Sequence, residues 1–250
     1  MHPFNKYFDK VIVLALREDE QRLEQIYEQL NGIEFEFIWG PNIRSLFPNA
    51  KLISDIPESF FCDFDVDKNA VLHWSLGGLG CGLGHRMMIK SIIDSNLSKV
   101  LLLEDDIILV DNAIDYFNES VKFIPPNWDL LYLGYDYPSR LMKSKLPFFL
   151  KKIVSYIKKL DIIGLNASVQ GKNYFPQKIN KYIHKSGVCI GGHAYALTSI
   201  SAKNLYDQNM PLKIYSDQLL MQNVYHGNLI AYNLNKSIIN QNKNLNSYTE

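Results

Sequence analysis

Short apolar runs alternate with amphipathic segments along most of the chain. Residues 11–16 (VIVLAL) form a continuous apolar run, which is typical of a strand buried on both faces of a parallel sheet. Residues 20–30 place apolar side chains at helical spacing, and Asn31-Gly32 supplies a helix stop signal. Residues 35–39 then predict a second strand. The chain therefore opens with the strand–helix–strand pattern of an α/β sheet.

The alternation of predicted strands and helices resumes at residue 86 and continues toward the C-terminus. Further strands are predicted at 99–103, 128–133, 188–197 and 228–234, and helices at 86–94, 111–123 (with Asp111 as N-cap), 199–205 and 215–225. These elements predict an open α/β sheet flanked by helices. Residues 41–76 carry several prolines and scattered aromatic side chains, and they predict a long connection with little regular structure.

Composition narrows the class of protein. The 250 residues, 47% of them hydrophobic, suit one globular domain spanning 1–250. Twenty-six basic and 26 acidic residues cancel, so no overall field would attract nucleic acid. The three cysteines are widely spaced without a CxxC pair, which predicts neither a disulfide framework nor a zinc site. The N-terminus lacks an apolar signal core and no apolar run approaches the ~20 residues of a membrane span, so we expect a cytoplasmic protein.

Residues 140–185 differ from the rest of the chain in their charge. This basic block contains Arg140 and ten lysines against the single acid Asp161. Between residues 149 and 160, apolar side chains recur at helical spacing beside pairs of lysines, which predicts a basic amphipathic insertion. Two interpretations stay open: a helix packed on the domain with a solvated lysine face, or peripheral contact with an anionic inner membrane leaflet.

An acidic triplet, Glu104-Asp105-Asp106, directly follows the predicted central strand. Ligands of open α/β sheets bind beyond the carboxyl ends of the strands. Residues i and i+2 of an extended chain face the same way, so Glu104 and Asp106 should converge while Asp105 points elsewhere. Mn²⁺ or Mg²⁺ prefers such carboxylate oxygens and can bridge them to a pyrophosphate, whose charge grows when a sugar leaves it. The alternative is that these acids cap the next helix or decorate a surface turn.

A glycine-rich segment precedes the predicted helix at 86–94. Residues 77–85 (GGLGCGLGH) contain five glycines, and they match neither the dinucleotide-binding pattern nor the phosphate loop of NTPases. A nucleotide-cofactor oxidoreductase or an NTPase is therefore not supported. The glycines predict either a loop that lets the backbone approach a ligand or tight packing of a helix on a strand.

Two further kinds of residue could contribute to a site. Asp217, at the start of a predicted helix, is either an N-cap or a carboxylate that faces the crevice. His85, His193 and His226 could each bind a metal, although a single histidine is more often structural. We prefer His226 as a further metal contact, because its position beyond Asp217 suits a late loop that returns to the crevice.

Several segments together resemble glycosyltransferase family 25, the bacterial lipopolysaccharide and lipooligosaccharide galactosyltransferases related to the collagen galactosyltransferases. In the order of the family they are VIVLALREDEQRLEQI, GGLGCGLGHRMMIKSII, LLLEDDI, WDLLYLG, GGHAYALTSISAKNL, YSDQLL and SIINQ. Two positions depart from the family pattern, since Gly84 replaces its serine and Gly78 its glutamate.

The resemblance implies a Rossmann-like fold of the GT-A type, a UDP-sugar donor (usually UDP-galactose), a divalent metal and inversion at the anomeric carbon. It implies an acceptor glycan or lipid-linked oligosaccharide of the lipopolysaccharide type. Asp217 would be the catalytic base, and Asp106 and Glu104, with His226, would hold Mn²⁺ or Mg²⁺. The expected donor-binding residues are Arg17, Arg22, His85, Glu104 and Asp105.

Two other classes of function remain as alternatives. A sugar nucleotidyltransferase would also use acids at a strand end, but it needs a basic, glycine-rich loop after the first strand, where residues 18–20 are acidic. A non-catalytic protein could instead bind membranes or glycans on the same fold through the basic block. The intact acidic triplet favours the enzyme over this second alternative.

Overall fold

The computed structural model describes residues 1–137, 173–243 and 245. Its strands are β1 (Lys10–Ala15), β2 (Glu36–Trp39), β3 (Lys99–Glu104), β4 (Ile107–Leu109), β5 (Leu130–Asp136), β6 (Gln177–Lys178), β7 (Ile183–Lys185), β8 (Ile190–Thr198), β9 (Ala231–Leu234) and β10 (Ile239–Gln241). Its helices are α1 (Pro3–Tyr7), α2 (Glu20–Gln29), α3 (Ile43–Leu46), α4 (Glu58–Asp63), α5 (Lys68–Val71), α6 (Leu76–Ser95), α7 (Ala113–Ser120), α8 (Ser199–Gln208) and α9 (Ser216–His226), with 3-10 turns at Ile53–Asp55 and Val121–Phe123.

Eight strands form one sheet in the order β2-β1-β3-β8-β5-β9-β7-β6, and β4 pairs with β10 in a separate two-stranded sheet. Strand β1 runs parallel to both β2 and β3, and β5 runs parallel to β9. Strand β8 runs antiparallel to β3 and β5, which makes the sheet mixed. The predicted open, Rossmann-like α/β sheet of the GT-A type, flanked by helices, is thereby confirmed.

Helices cover both faces of this sheet, as the apolar runs predict. In β1, Val11 and Val13 belong to the core that contains α1, α2 and α7, whereas Ile12 and Leu14 belong to the core that contains α6, α8 and α9. Strand β3 divides its side chains in the same way. A strand buried on both faces needs apolar residues at every position, which is why these two segments show no polar alternation.

Residues 41–76 are more regular than predicted. They contain α3, α4, α5 and a 3-10 turn, so the prediction of little regular structure is wrong. Their scattered aromatic and aliphatic side chains form a third buried core with the first half of α6 and Leu212. Each helix is too short to show helical periodicity, but Asn42 and Asp67 accept hydrogen bonds from the backbone three residues on and cap α3 and α5.

The glycine-rich segment is helical, and the prediction of a loop there is wrong. Helix α6 begins at Leu76 with Ser75 as N-cap, and it contains all five glycines. A Cβ atom at Gly80 would lie 2.7 Å from the carbonyl oxygen of Pro41, and one at Gly84 would lie 2.6 Å from the side chain of Leu14. The alternative of tight helix-on-strand packing is therefore confirmed, because glycine alone lets α6 approach β1 and the residue 40–42 loop so closely.

The basic block is described only in part. Its predicted amphipathic stretch lies outside the described residues, whereas its C-terminal end forms β6 and β7 at the edge of the sheet. The start of α7 also differs from the prediction, since Asn112 rather than Asp111 precedes its first residue. Within the described parts of the chain, no helix combines the length and apolar character needed to cross a membrane.

The close approach of α6 can be tested by adding one methyl group. We expect Gly80→Ala to lower the free energy of unfolding by about 1–3 kcal/mol, because the new Cβ meets a backbone oxygen that cannot turn away. This loss would appear even though alanine stabilises an isolated helix by ~1 kcal/mol relative to glycine. Met87→Ala, at an exposed position of the same helix, is the control for urea denaturation. A Gly80→Ala protein as stable as that control would contradict the packing argument.

Candidate functional site

A cavity of about 550 Å³ opens beyond the carboxyl ends of β1 and β3. Its wall comes from the ends of both strands, the residue 40–42 loop, the start of α3, the first half of α6, Gly191-Gly192 of β8 and the start of α9. The acidic triplet and Gln241 complete the lining. The cavity lies where an open α/β sheet places its ligands.

The acidic triplet forms the turn between β3 and β4. Because β4 pairs antiparallel with β10, Gln241 lies opposite Ile107, next to this turn. The Gln241 amide nitrogen donates to Glu104 Oε2 at 3.5 Å and to Asp106 Oδ2 at 3.4 Å. Glu104 and Asp106 therefore face the same side, as their spacing predicts.

Asp105 points away from this pair and forms a buried ion pair. Its Oδ1 lies 2.5 Å from Arg22 Nη1, and both residues are almost fully buried. Arg22 is fixed in turn by Asp19, which accepts a hydrogen bond from the Arg22 backbone N–H at the start of α2. Arg22 lines the cavity. The ion pair thus ties α2 to the acidic turn.

The pair of carboxylates carries unsatisfied negative charge. Asp106 Oδ1 is buried without a hydrogen-bond partner among the described residues. Burial and the neighbouring charge of Glu104 raise the pKa of Asp106 to about 7. A divalent cation would supply the missing partner and cancel the repulsion, and carboxylate oxygens suit Mn²⁺ and Mg²⁺. The residues present therefore fit a hard divalent metal.

His85 holds the other oxygen of Glu104. Its Nε2 lies 2.9 Å from Glu104 Oε1, and its Nδ1 lies 3.0 Å from the hydroxyl of Tyr195 on β8. Burial opposes ionisation of Glu104, but the hydrogen bond and the charge of His85 lower the pKa of that carboxyl below its usual value. Burial also disfavours the imidazolium, yet Tyr195, Cys81 and Glu104 around the ring raise the pKa of His85. Glu104 is thus held by His85 on one side and Gln241 on the other.

Asp217 reaches the same space from α9. It is the second residue of that helix, and its Oδ1 accepts a hydrogen bond from the backbone N–H of Gln218. A Cβ at Gly192 would lie 3.5 Å from His85 Cε1 and 3.9 Å from both Asp217 Cβ and Glu104 Oε1. The bare backbone of Gly192 therefore keeps the space between these three residues open. Burial, together with the charge of Glu104, raises the pKa of Asp217.

A stacked pair of aromatic rings supports the start of α9. Trp74 and Tyr215 lie 3.8 Å apart at an interplanar angle of 14°. A Cβ at Gly78 would come within 2.8 Å of the Tyr215 hydroxyl. Gly78, which replaces the glutamate of the family pattern, thus leaves room for the ring two residues before Asp217.

Two predicted site residues lie apart from the cavity. Arg17 is exposed and covers the ring of Trp39, with 5.0 Å between its guanidinium carbon and the ring centroid. His226 is exposed in the last turn of α9, while Asp217 lies in the first turn, and nine residues of helix separate them by ~14 Å. The predicted metal contact of His226 is therefore not supported, because this residue ends a helix instead of following a loop back to the crevice.

The structure also brings in residues for which we predicted no role. Cys81 and Tyr195 contact His85, and Gln241 contacts the acidic pair. Cys81 and Gln241 fall within segments that resemble family 25, but no local pattern identifies their partners. The contact of Gln241 joins residues 137 positions apart and depends on the β4–β10 register.

The buried ion pair predicts a loss of stability in Asp105→Asn. This change keeps the shape of the side chain but removes the nearest counter-charge of the buried Arg22 guanidinium, whose salt bridge to Asp19 is longer, at 3.7 Å, so we expect a loss of about 3 kcal/mol in urea denaturation. Asp94→Asn is the matched control, because Asp94 pairs with Lys90 on the surface and such pairs contribute ~0–1 kcal/mol. Equal effects in the two variants would argue against a structural role for the buried pair.

The neighbouring Asp106→Asn should have the opposite effect on the metal-free protein. The raised pKa means that ionised Asp106 destabilises the folded state, and this penalty grows as the pH rises from about 4 to about 7. A neutral amide avoids this penalty, so we expect a gain on the order of 4 kcal/mol above neutral pH, which disappears near pH 4. Thermal melts with chelator across this pH range measure the difference. A variant less stable than wild type at every pH would exclude the predicted cost of ionising Asp106 in the folded protein.

Comparison with known proteins supports the resemblance seen in the sequence. The sequence pattern of the family described as "Glycosyltransferase family 25 (LPS biosynthesis protein)" matches residues 8–220. The chain is 30% identical to a procollagen lysyl hydroxylase and glycosyltransferase of Acanthamoeba polyphaga mimivirus, over 49% of this chain and 14% of that protein. It is 24% identical to a putative glycosyltransferase of Haemophilus influenzae, over 86% of this chain and 63% of that protein.

Other similarities are more limited. A probable inactive glycosyltransferase 25 family member 3 of Rattus norvegicus is 24% identical over 53% of this chain and 23% of its own length. Among solved structures, A197 from STIV overlaps with a TM-score of 0.38 at 12% identity, over 91% of this chain and 81% of that chain. The chain spans less than two thirds of each of the three sequence relatives. The match over residues 8–220 nevertheless covers most of the sequence, and the chain belongs to glycosyltransferase family 25.

Proposed function

We propose that this chain is an inverting, metal-dependent glycosyltransferase that transfers a hexose from a UDP-sugar to a glycan acceptor. In this proposal the hexose is galactose, and the acceptor is of the lipopolysaccharide or lipooligosaccharide type. The observation that carries the proposal is the paired carboxylate group of Glu104 and Asp106, with its orphaned Asp106 oxygen, in a cavity that also contains Asp217. A cytoplasmic location on the inner membrane face, reached through the basic block, belongs to the same proposal and rests on the sequence alone.

In this proposal the acidic turn forms the donor end of the site. Glu104 and Asp106 would hold Mn²⁺ or Mg²⁺, which when bound stabilises the charge of a departing diphosphate. Arg22 and Asp105 keep the turn in place through their ion pair, and His85 orients Glu104. Arg17 and His226, which lie away from the cavity, have no place in this set of residues.

Asp217 would act as the base. Inversion requires that the acceptor hydroxyl attack from the face opposite to the leaving diphosphate while a carboxylate accepts its proton. A Cβ at Gly192 would lie 3.9 Å from both Asp217 Cβ and Glu104 Oε1, so an acceptor that enters this space would meet both the base and the donor end. The raised pKa of Asp217 favours this role, because a more basic carboxylate is a better proton acceptor.

A non-catalytic glycan- or membrane-binding protein is the second candidate. It is favoured by the names of two relatives, in Rattus norvegicus and Mus musculus, which describe them as inactive. The presence of Glu104, Asp106 and Asp217 in one cavity argues for catalysis in this chain. A sugar nucleotidyltransferase is less well supported, because the residues after β1 remain acidic and α2 begins without a glycine-rich phosphate loop.

The division of roles between Asp106 and Asp217 can be tested with matched substitutions. We expect Asp217→Asn to bind UDP with Mn²⁺ within about twofold of wild type but to lose turnover by ~10²–10⁴-fold, since only the proton acceptor is removed. Asp106→Asn should lose the Mn²⁺-dependent part of UDP binding. Gln222→Ala, at an exposed position of α9, is the control.

The measurements are calorimetric UDP binding and sugar release from a panel of UDP-hexoses, each with Mn²⁺ or with chelator. Turnover at the wild-type rate in Asp217→Asn would show that another group is the base. A wild-type protein that binds UDP but neither hydrolyses nor transfers any sugar of the panel would favour the non-catalytic candidate.

A further inference from the structure

A second set of potential metal ligands lies beside the acidic pair. Cys81 and His85 are one turn apart on α6, so both face the cavity, and Glu104 approaches them from β3. One ligand atom from each of these three residues lies within 4.8 Å of the other two. Metal sites use this arrangement, in which one helix supplies two ligands at positions i and i+4 and another element supplies a third.

The ring of His85 is oriented in the way that a metal ligand requires. Tyr195, which is fully buried on β8, occupies Nδ1, and this contact directs Nε2 at Glu104. Metal-binding histidines are usually fixed in this way, with the second nitrogen held by a hydrogen-bond partner behind the ligand shell. The side chain therefore needs no reorientation to present Nε2 to a cation.

The chemistry of this set differs from that of the acidic pair. A thiolate, an imidazole and a carboxylate suit a thiophilic cation such as Zn²⁺, whereas Mn²⁺ and Mg²⁺ prefer oxygen ligands alone. The two sets also use different oxygens of Glu104. Oε1 faces His85, while Oε2 faces Gln241 beside Asp106. Three protein ligands next to a cavity leave a fourth position of a tetrahedral cation open.

We propose that Cys81, His85 and Glu104 form a second metal site, which binds a thiophilic divalent cation of the Zn²⁺ class next to the Glu104–Asp106 pair. Binding of Zn²⁺ there does not depend on the proposed function. The consequence of this binding does depend on the proposed function. Zn²⁺ on Oε1 would draw Glu104 away from Asp106 and would inhibit sugar transfer that depends on Mn²⁺. The cysteine spacing gives no sign of this site, because α6 and β3 each supply only part of it.

Co²⁺ is the probe, because it binds in place of Zn²⁺ and its absorption spectrum reveals thiolate ligands. Titration of the metal-free full chain with Co²⁺ should give an intense thiolate-to-metal absorption band that saturates at one equivalent and disappears when Zn²⁺ is added. Cys81→Ser should lose the band, and Cys62→Ser, at an exposed cysteine of α4, should keep it. A wild-type protein without the band, or a band that survives in Cys81→Ser, would overturn the proposal.

A measurement on the wild-type protein avoids any effect of the substitution on folding. Zn²⁺ at ten times its Kd should slow the alkylation of Cys81 by about tenfold, because only the metal-free thiol reacts, and should leave the rate at Cys62 unchanged. Site-resolved mass spectrometry measures both rates in one sample. Equal rates at Cys81 with and without Zn²⁺ would contradict the proposal.

Asp106→Asn separates this inference from the proposed function. The variant should keep the Co²⁺ band, because Asp106 is not one of the three ligands, and should lose binding of Mn²⁺. Loss of the Co²⁺ band in this variant would place cobalt at the acidic pair and overturn the second site. Unchanged Mn²⁺ binding would instead count against the metal site of the proposed function and leave the cysteine site standing.

Discussion

Two neighbouring carboxylates, one of them with a buried oxygen that lacks a partner, dominate the electrostatics of the site. Glu104 and Asp106 face the same side of a tight turn, and the only described side-chain hydrogen-bond donor that reaches both is Gln241, at the long distances of 3.5 and 3.4 Å. One Asp106 oxygen is buried with no partner in the described chain. The protein maintains this costly arrangement in the wall of a cavity, and a cation would convert the cost into binding free energy. The proposal of a metal-dependent function rests on this one feature.

Three separate parts of the fold hold the pair in place. Helix α2 contributes the Arg22 partner of Asp105, helix α6 contributes His85, and the β4–β10 ladder contributes Gln241. Each contact fixes a different atom of the acidic turn. A substitution of any of these three partner residues should therefore disturb the geometry of the carboxylates.

The sequence predicts this site where local rules decide the structure. Continuous apolar runs identified β1 and β3, and the period of a strand placed Glu104 and Asp106 on one side. Local rules fail at the glycine-rich segment. The glycines of α6 allow a close approach to Pro41 and Leu14, and these contacts between distant residues cannot be inferred from the sequence pattern. They fail also for Gln241 and His226, since only the three-dimensional register shows that the first joins the site and the second ends a helix outside it.

The central claim is that a hard cation lies between the two carboxylates of the acidic turn. Crystals soaked with UDP and Mn²⁺, measured at the manganese absorption edge, test it most directly. We expect an anomalous peak within bonding distance of Glu104 Oε2 or Asp106, with diphosphate oxygens completing the coordination. Ordered UDP in the cavity without a manganese peak at the acidic turn would contradict it.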